Sequence, residues 1–372
     1  MQSGSSPFQV VFVSRKHPPS VGGMQIASYH LLRELRQRRP IDAVVLDCPP
    51  PLLPIFLVWA ALRIARARAA NNCGPTIVQL GDALLSVLAP WCRLFGCTPV
   101  VIAHGLDLTY PNPAYQVVVR LCMRCVERVI CLSRAAREVC VERGVSADRC
   151  ELIPYGTIPN AAPARRAEAR AMLAGRLGRP LDSAFVLLTV GRLVRRKGVA
   201  WFIESVLPGL VAEHPETLYV VVGEGPDGAA VRQAITHTEL ADHVLLVGQV
   251  EPAKTAPYYA AADVFVMPNI HVPGDLEGLG IVALEAGAAG VPTVAADIEG
   301  VSDAVVSGVT GTLVPTRDTL AFHAAIAGLR DHPEDRAALG RSAALHIRER
   351  MTWPAIAAAY LECYERIVSR SS

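Results

Sequence analysis

The chain has 372 residues, 51% of them hydrophobic and 19% charged, which excludes a disordered chain and leaves room for two domains of ordinary size. The net charge is only +2, yet residues 1–180 carry 22 Lys/Arg against 11 Asp/Glu, and residues 181–372 carry 14 against 23. A basic half suits contact with something anionic, a membrane surface or a charged acceptor; equally, arginine-rich helices can simply be hydrated.

In chain order, the first apolar run, Phe8–Val13, reads as a strand with no secretory leader ahead of it. The ten cysteines, nine of them between Cys48 and Cys150, are therefore expected as reduced thiols of a cytoplasmic protein. Cys122 and Cys125 have a Cys-x2-Cys spacing, but no second pair or His pair stands at finger-like distance, so they read as small apolar residues and no metal is expected. No stretch reaches the ~20 apolar residues that span a bilayer. The longest, Leu52–Leu62, is followed by Arg63, Arg66 and Arg68. It reads either as an interfacial helix with a basic end, placing the protein peripherally on the inner face of a membrane, or as a buried helix packed on a sheet. The strand-like segments on both sides favour the second.

Short β-type runs alternate with helical patterns throughout. The first half offers Val10–Ser14, Asp42–Leu46, Thr76–Leu80, Pro99–Ala103, Arg128–Leu132 and Cys150–Ile153. The second offers Phe185–Val190, Leu218–Val222, His243–Leu246, Val264–Met267, Thr293–Ala295 and Gly311–Leu313. This alternation predicts an α/β protein of two doubly wound, Rossmann-like domains, with ligands at the carboxyl ends of the strands in a cleft between them. The expected division is residues 1–160, a linker at 161–182 within the Pro/Ala/Arg-rich stretch Ile158–Leu181, a second domain at 183–351, and a terminal helix at 352–372 entered through Trp353-Pro354.

Several loops after these strands carry chemistry. Gly22 and Gly23 follow the first strand and open a helix, where bare backbone and free amides can approach a ligand; no Gly-x-Gly-x-x-Gly is present. His104 ends the fourth strand, with Asp107 read as a cap of the following segment. In the second half, Gly191-Arg192-Leu-Val-Arg-Arg-Lys197-Gly198 offers a forked guanidinium and a mobile ammonium five residues apart, with Arg195 and Arg196 read as solvated neighbours. Gly223 and Gly225 form a tight turn read as structural, and Asp263 reads as a residue that caps or orients a turn. The stretch Pro273-Gly-Asp-Leu-Glu277-Gly278-Leu279-Gly280-Ile281-Val-Ala-Leu-Glu285 is the most informative. An apolar run opens at Ile281, so a helix should begin near Gly280, its free amides and positive dipole end facing whatever Glu277 faces. Amides that bind an anion beside two carboxylates suit a ligand bearing both phosphate and hydroxyls.

That segment resembles the Glu-x7-Glu motif of retaining GT-B glycosyltransferases, family 4, and the resemblance extends over nearly the whole chain, most strongly across Gly191–Gly311. It implies a terminal helix that crosses back to the first domain. Gly22 and Gly23 would lie beside the donor diphosphate and the acceptor, and His104 would contact the transferred sugar without being an obligatory base. Arg192 and Lys197 would hold the diphosphate, and the main chain of the loop ending at Val250 would read the nucleobase. The amides of Gly278, Leu279, Gly280 and Ile281 would face the phosphates, with Glu277 on the sugar and Glu285 on the ribose. One departure is Ile153-Pro-Tyr-Gly156-Thr157, where many relatives carry Asn-Gly-Val-Asp. The expected function is transfer of a hexose-type sugar, with retention, from a UDP- or GDP-linked nucleotide-sugar to a hydroxyl acceptor: a cell-envelope lipid, a glycan or a small metabolite. No metal, other cofactor or nucleic acid is expected. The rival readings are another nucleotide-sugar enzyme on this fold, such as an epimerase or pseudo-glycosyltransferase, and a catalytically silent partner subunit.

Overall fold

Residues 8–19, 22–71, 74–158 and 166–371 are described by a computed structural model. The chain divides into two units, Met1–Gly156 with Trp353–Ser372, and Thr157–Thr352.

The first unit runs β1 (Gln9–Ser14), α1 (Gly23–Arg38), β2 (Ile41–Val45), α2 (Leu53–Ala70), β3 (Thr76–Leu80), α3 (Ala89–Leu94), β4 (Cys97–Ala103), α4 (Leu106–Thr109), α5 (Pro113–Met123), β5 (Arg128–Cys131), α6 (Arg134–Glu142) and β6 (Cys150–Leu152). Its six strands form one parallel sheet in the order β2-β1-β3-β4-β5-β6. Val10–Val13 are fully buried; a continuous β-branched and aromatic run is what a parallel strand covered on both faces requires. Helix α2 lays Phe56, Ala60, Ile64 and Ala67 on the sheet at helical spacing, so the buried-helix reading holds for that stripe.

The second unit runs α7 (Arg166–Leu177), β7 (Phe185–Val190), α8 (Val199–Ser205), α9 (Leu207–Glu213), β8 (Thr217–Val222), α10 (Gly228–Thr238), β9 (Val244–Gly248), α11 (Ala256–Ala261), β10 (Val264–Met267), α12 (Ile281–Ala288), β11 (Thr293–Ala296), α13 (Val301–Ala304), β12 (Gly311–Val314), α14 (Thr319–Asp331) and α15 (Pro333–Arg350). Its sheet is again parallel and six-stranded, in the order β12-β11-β10-β7-β8-β9.

The expected linker needs correction. Its first residues lie outside the described ones, but Arg166–Leu177 is a helix of the second unit, because Ala, Leu and Arg are strong helix formers and Ala169 and Leu173 find a buried surface. Its Arg166 and Arg170 both bond Asp263, the latter at 2.6 Å, and the same carboxylate accepts from the Val186 amide at 2.8 Å. Asp263 is thus the buried hub of an arginine cluster, with Arg336 also 3.6 Å away, rather than a turn cap. The cavity of about 460 Å³ beside it is lined by Arg166, Arg336 and Arg341, not by the donor-type motifs.

The last helix, α16 (Trp353–Ser371), belongs to the first unit. Proline is tolerated in its first turn, where no intrahelical N–H is needed. Tyr364 donates to Gln79 Oε1 at 2.7 Å in the buried sheet, and the Trp353 ring stacks on His30. At the departure noted in the sequence, Gly156 is required sterically: a Cβ there would sit 2.6 Å from the Trp353 amide nitrogen.

Candidate functional site

The site of the second unit is built where two loops meet at the carboxyl ends of adjacent strands, β7 and β10. Gly198 has a left-handed backbone, and a Cβ on it would lie 1.9 Å from the Pro268 carbonyl oxygen. That contact lets the loop after β7 lie flat against the loop after β10, and the Ile270 amide bonds the Arg196 carbonyl at 2.8 Å. Arg196 and Lys197 are thereby delivered to Glu277. Lys197 Nζ is 2.7 Å from Glu277 Oε2, Arg196 Nε is 3.3 Å from it, and Asn269 Nδ2 donates to it at 3.1 Å. Arg196 also reaches Asp275 at 2.7 Å. The three partners of this ion pair are only 11–17% exposed. Burial alone would raise the Glu277 carboxyl, but Lys197 and Arg196 outweigh it and hold the group below the ordinary carboxylate range.

The backbone beneath is fixed too. The Glu277 amide donates to Glu299 Oε2 at 2.5 Å, and Glu299 has a positive φ of 50°, a conformation that a non-glycine residue holds at a cost. Helix α12 starts at Ile281 with Gly280 as a left-handed N-cap, as the sequence predicts. Gly278, Leu279, Gly280 and Ile281 therefore lie between Glu277 and a helix start, where amides lack intrahelical acceptors. Glu285 sits within α12, half-buried, and accepts a hydrogen bond from the Tyr259 hydroxyl at 2.6 Å. Burial raises its carboxyl, and the Tyr259 bond opposes this only in part.

Asn269 is the residue that most nearly announces a ligand. It is buried just after β10, its amide nitrogen is taken by Glu277, and its Oδ1 has no hydrogen-bond partner among the described residues. A buried, unpaired acceptor costs free energy unless a donor arrives.

Not every expected residue joins this cluster. Arg192 is exposed and makes no ion pair among the described residues. Val250 lies just beyond β9, half-buried, in a loop tied to the Gly223 turn by the Gly223 amide on the Gly248 carbonyl at 2.8 Å. Gly223 and Gly225 pack directly on the Gly191 and Leu193 carbonyls, which supports the structural reading of that turn.

His104, Gly22 and Gly23 belong to the first unit. Gly22 precedes α1 as an extended N-cap, and Gly23 opens the helix, exposed. His104 ends β4 with both ring nitrogens engaged. The Gly81 carbonyl can only accept, so Nε2 carries the proton at 2.7 Å from it, and Nδ1 accepts from the Tyr155 hydroxyl. Asp107 does not cap its own segment alone: its two oxygens accept from the His104 amide at 2.9 Å and the Ala83 amide at 2.8 Å. The histidine is thus locked by its own unit, and the void it borders with Met24 and Tyr155 measures about 10 Å³.

Sequence reasoning missed Arg196, set down as a solvated neighbour, along with Asn269, Tyr259 and Glu299. For Asn269 a signal existed, since polar residues directly after a parallel strand sit where ligands bind. Among the described residues no group of three or more His, Cys, Asp or Glu could hold a metal ion, and all nine described cysteines are free.

Comparison with known proteins places the chain in a family. Residues 8–160 match the family model "Glycosyltransferase Family 4", and residues 184–332 match "Glycosyl transferases group 1". The chain is 32% identical over 262 residues to a GDP-mannose-dependent alpha-(1-6)-phosphatidylinositol monomannoside mannosyltransferase of Mycolicibacterium smegmatis, covering 69% of this chain and 68% of that protein. It is 37% identical over 202 residues to D-inositol 3-phosphate glycosyltransferase 2 of Catenulispora acidiphila, covering 52% of this chain and 45% of that protein. The match thus spans less than half the length of that second relative. Among solved structures, Anabaena HepE in complex with UDP superposes with a TM-score of 0.74 at 18% identity, covering 96% of this chain and 100% of that one. Sucrose-phosphate synthase from Thermosynechococcus elongatus gives 0.74 at 23% identity, covering 98% and 100%. The fold is GT-B, two Rossmann-like domains with a terminal helix returned to the first. The chain belongs to glycosyltransferase family 4.

Proposed function

We propose that the protein is a retaining hexosyltransferase that moves a sugar from a UDP- or GDP-linked donor to a hydroxyl acceptor, with no metal required. The observation that carries this reading is the Lys197–Glu277–Arg196 cluster with the unpaired Asn269 acceptor, set just before the start of α12. A lysine held at a buried carboxylate beside amides at a helix start can pass to a diphosphate without crossing water.

In this reading Glu285, oriented by Tyr259, takes the ribose hydroxyls. Lys197, the exposed Arg192 and the amides from Gly278 to Ile281 stabilise charge on the departing diphosphate. Glu277 and Asn269 hold the sugar hydroxyls, and Arg196 keeps Glu277 ionised. By the family resemblance, His104, fixed by Gly81 and Tyr155, is assigned to the sugar and the Gly22–Gly23 backbone to the phosphates. The acceptor oxygen forms its bond to the anomeric carbon on the face from which the phosphate oxygen leaves. Its proton passes to that phosphate oxygen, releasing a nucleoside diphosphate.

The relatives suggest which donors to try first: one is named for GDP-mannose, and HepE was also solved with UDP-glucose. A thermal-shift panel of nucleotide-sugars should single out one donor, since a ligand bound only by the folded state raises its stability. Proton NMR of the early product should then show the donor's own anomeric configuration, with turnover unaffected by EDTA. An inverted anomer, or strict dependence on added divalent metal, contradicts the reading.

A further inference from the structure

We propose that the outer face formed by α2, α3 and α5 docks the first unit on an anionic lipid surface. Among the described residues 21 large hydrophobic side chains are exposed; 17 lie in the first unit and only four, Ile158, Val306, Leu320 and Leu345, in the second. Twelve of the 17 fall between Leu52 and Leu121. Leu94 is 75% exposed, Ile55 68% and Leu62 58%. Isolated exposed hydrophobes are ordinary, but a contiguous set marks a contact surface.

These residues share one side of the sheet. The inner sides of the three helices feed a single core through Phe56, Ile64, Cys92, Val119 and Met123, a cluster to which α1 and α16 contribute nothing. The Trp91 indole bonds the Ala61 carbonyl at 3.1 Å, joining α3 to α2, and Arg93 bonds the Cys125 carbonyl at 2.9 Å, joining α3 to the end of α5. Helix α2 is apolar on its outer side as well as its inner one. Such a helix normally lies buried, yet nothing among the described residues covers it.

Charge selects the occupant. From Cys48 to Val126 there are six arginines and two acids, Asp82 and Asp107. Both acids are turned inward, Asp82 fully buried against Arg15 and Asp107 on two backbone amides. Arg63 and Arg93 have acidic partners, but Arg66, Arg120 and Arg124 are exposed without an ion pair among the described residues. Exposed Trp59 and Trp91 among aliphatics, flanked by free arginines and no exposed acid in that stretch, match the boundary of an anionic bilayer. A second copy of the same face would set these arginines against each other, because a two-fold contact repeats the same patch. No helix among the described residues is long and apolar enough to cross a membrane, so the contact is peripheral. The proposal stands apart from the transferase reading, since docking needs no donor.

The test is co-sedimentation of the full chain with phosphatidylcholine vesicles, with and without phosphatidylglycerol, at low and high salt. The wild type should pellet with the anionic vesicles and be released by salt. Partition should fall by about tenfold or more in Ile55→Glu/Leu62→Glu/Leu94→Glu and in Arg66→Ala/Arg120→Ala/Arg124→Ala, and stay unchanged in Leu320→Glu. None of these residues belongs to the donor site, so an unaltered nucleotide-induced thermal shift reports an intact fold. Wild type left in the supernatant with anionic vesicles at low salt overturns the proposal, as does pelleting of the apolar triple variant like wild type. Concentration-dependent dimers abolished by Leu94→Glu, without vesicle binding, would assign the face to a second copy and equally overturn it.

Discussion

The two units share an architecture and differ in what they leave unsatisfied. Each is a six-stranded parallel sheet covered by helices. In the first, two polar residues at the strand ends are held from within: His104 by Gly81 and Tyr155, Asp107 by two amides. What sets this unit apart is exposed apolar surface, on the outer sides of α2, α3 and α5. In the second, little apolar surface is left over, and the unmet demand is polar: a buried carboxylate shared by two cations, a half-buried glutamate with raised pKa, and an orphaned amide oxygen. The same parallel α/β core thus presents different surfaces in the two units: polar loops after β7 and β10 in one, apolar outer helical faces in the other.

The largest expected effect breaks the polar side of the comparison. Lys197→Ala should lose roughly 2–4 kcal/mol of transition-state stabilisation, about 30- to 1000-fold in kcat/KM, while melting stays cooperative. Near-normal kinetics would show that the ammonium serves only to neutralise Glu277. Arg196→Gln should cost less, on the order of tenfold, because Arg196 acts through Glu277. It carries a pH signature. Removing a cation raises the Glu277 pKa, so the acid limb of the pH–rate profile should move to higher pH. The same sign applies to stability. The Glu277 carboxyl is held low in the folded state, so its contribution is present above the unfolded value and lost as pH falls through the folded one. Arg196→Gln should therefore melt at a less acidic pH, and an unmoved profile would argue against the assigned role.

Glu285 has the opposite sign. Burial raises its folded pKa, so its ionised form opposes folding at neutral pH and the opposition fades as pH falls through that folded value. Glu285→Gln should melt higher than wild type at neutral pH and lose the thermal shift given by nucleotide, a gain in stability set against a loss of binding. A lower melting temperature would mean the carboxylate is structurally needed. The smallest effect concerns the apolar side. Leu94→Glu and Leu320→Glu each replace a side chain that touches mostly water, so both should stay within about 0.5 kcal/mol of wild-type stability. A larger loss at Leu94 would mean that its surface is packed rather than free.

Much of this was legible in the sequence. Thr76–Leu80, Phe185–Val190 and Val264–Met267 are strands at the predicted residues, because a doubly covered parallel strand needs an unbroken apolar run that loops do not tolerate. The Gly280 helix start was legible for a similar reason: glycine followed by an apolar run is a backbone statement. Pairings across the chain were not. Arg195 and Arg196 look alike in sequence, yet the short turn Arg195–Lys197 leaves one exposed and sends the other to Asp275 and Glu277. Tyr259 and Glu285 stand 26 residues apart, and Arg166, Arg170 and Asp263 nearly a hundred. No local pattern encodes such contacts; they come from strand order. Helix α7 was hidden by composition, since Pro and Arg around it suggested a linker while Ala169 and Leu173 supplied the buried stripe.

The central claim is that the second unit divides a donor between Glu285, on the nucleotide, and Glu277, on the sugar. Calorimetry of nucleoside diphosphate and of the matching nucleotide-sugar, titrated into Glu277→Gln and Glu285→Gln, tests it directly. The predicted result is that Glu285→Gln loses affinity for both ligands. Glu277→Gln should keep or gain affinity for nucleoside diphosphate, since Lys197 is freed, and lose the increment due to the sugar. Equal losses in both variants with nucleoside diphosphate alone would contradict the division.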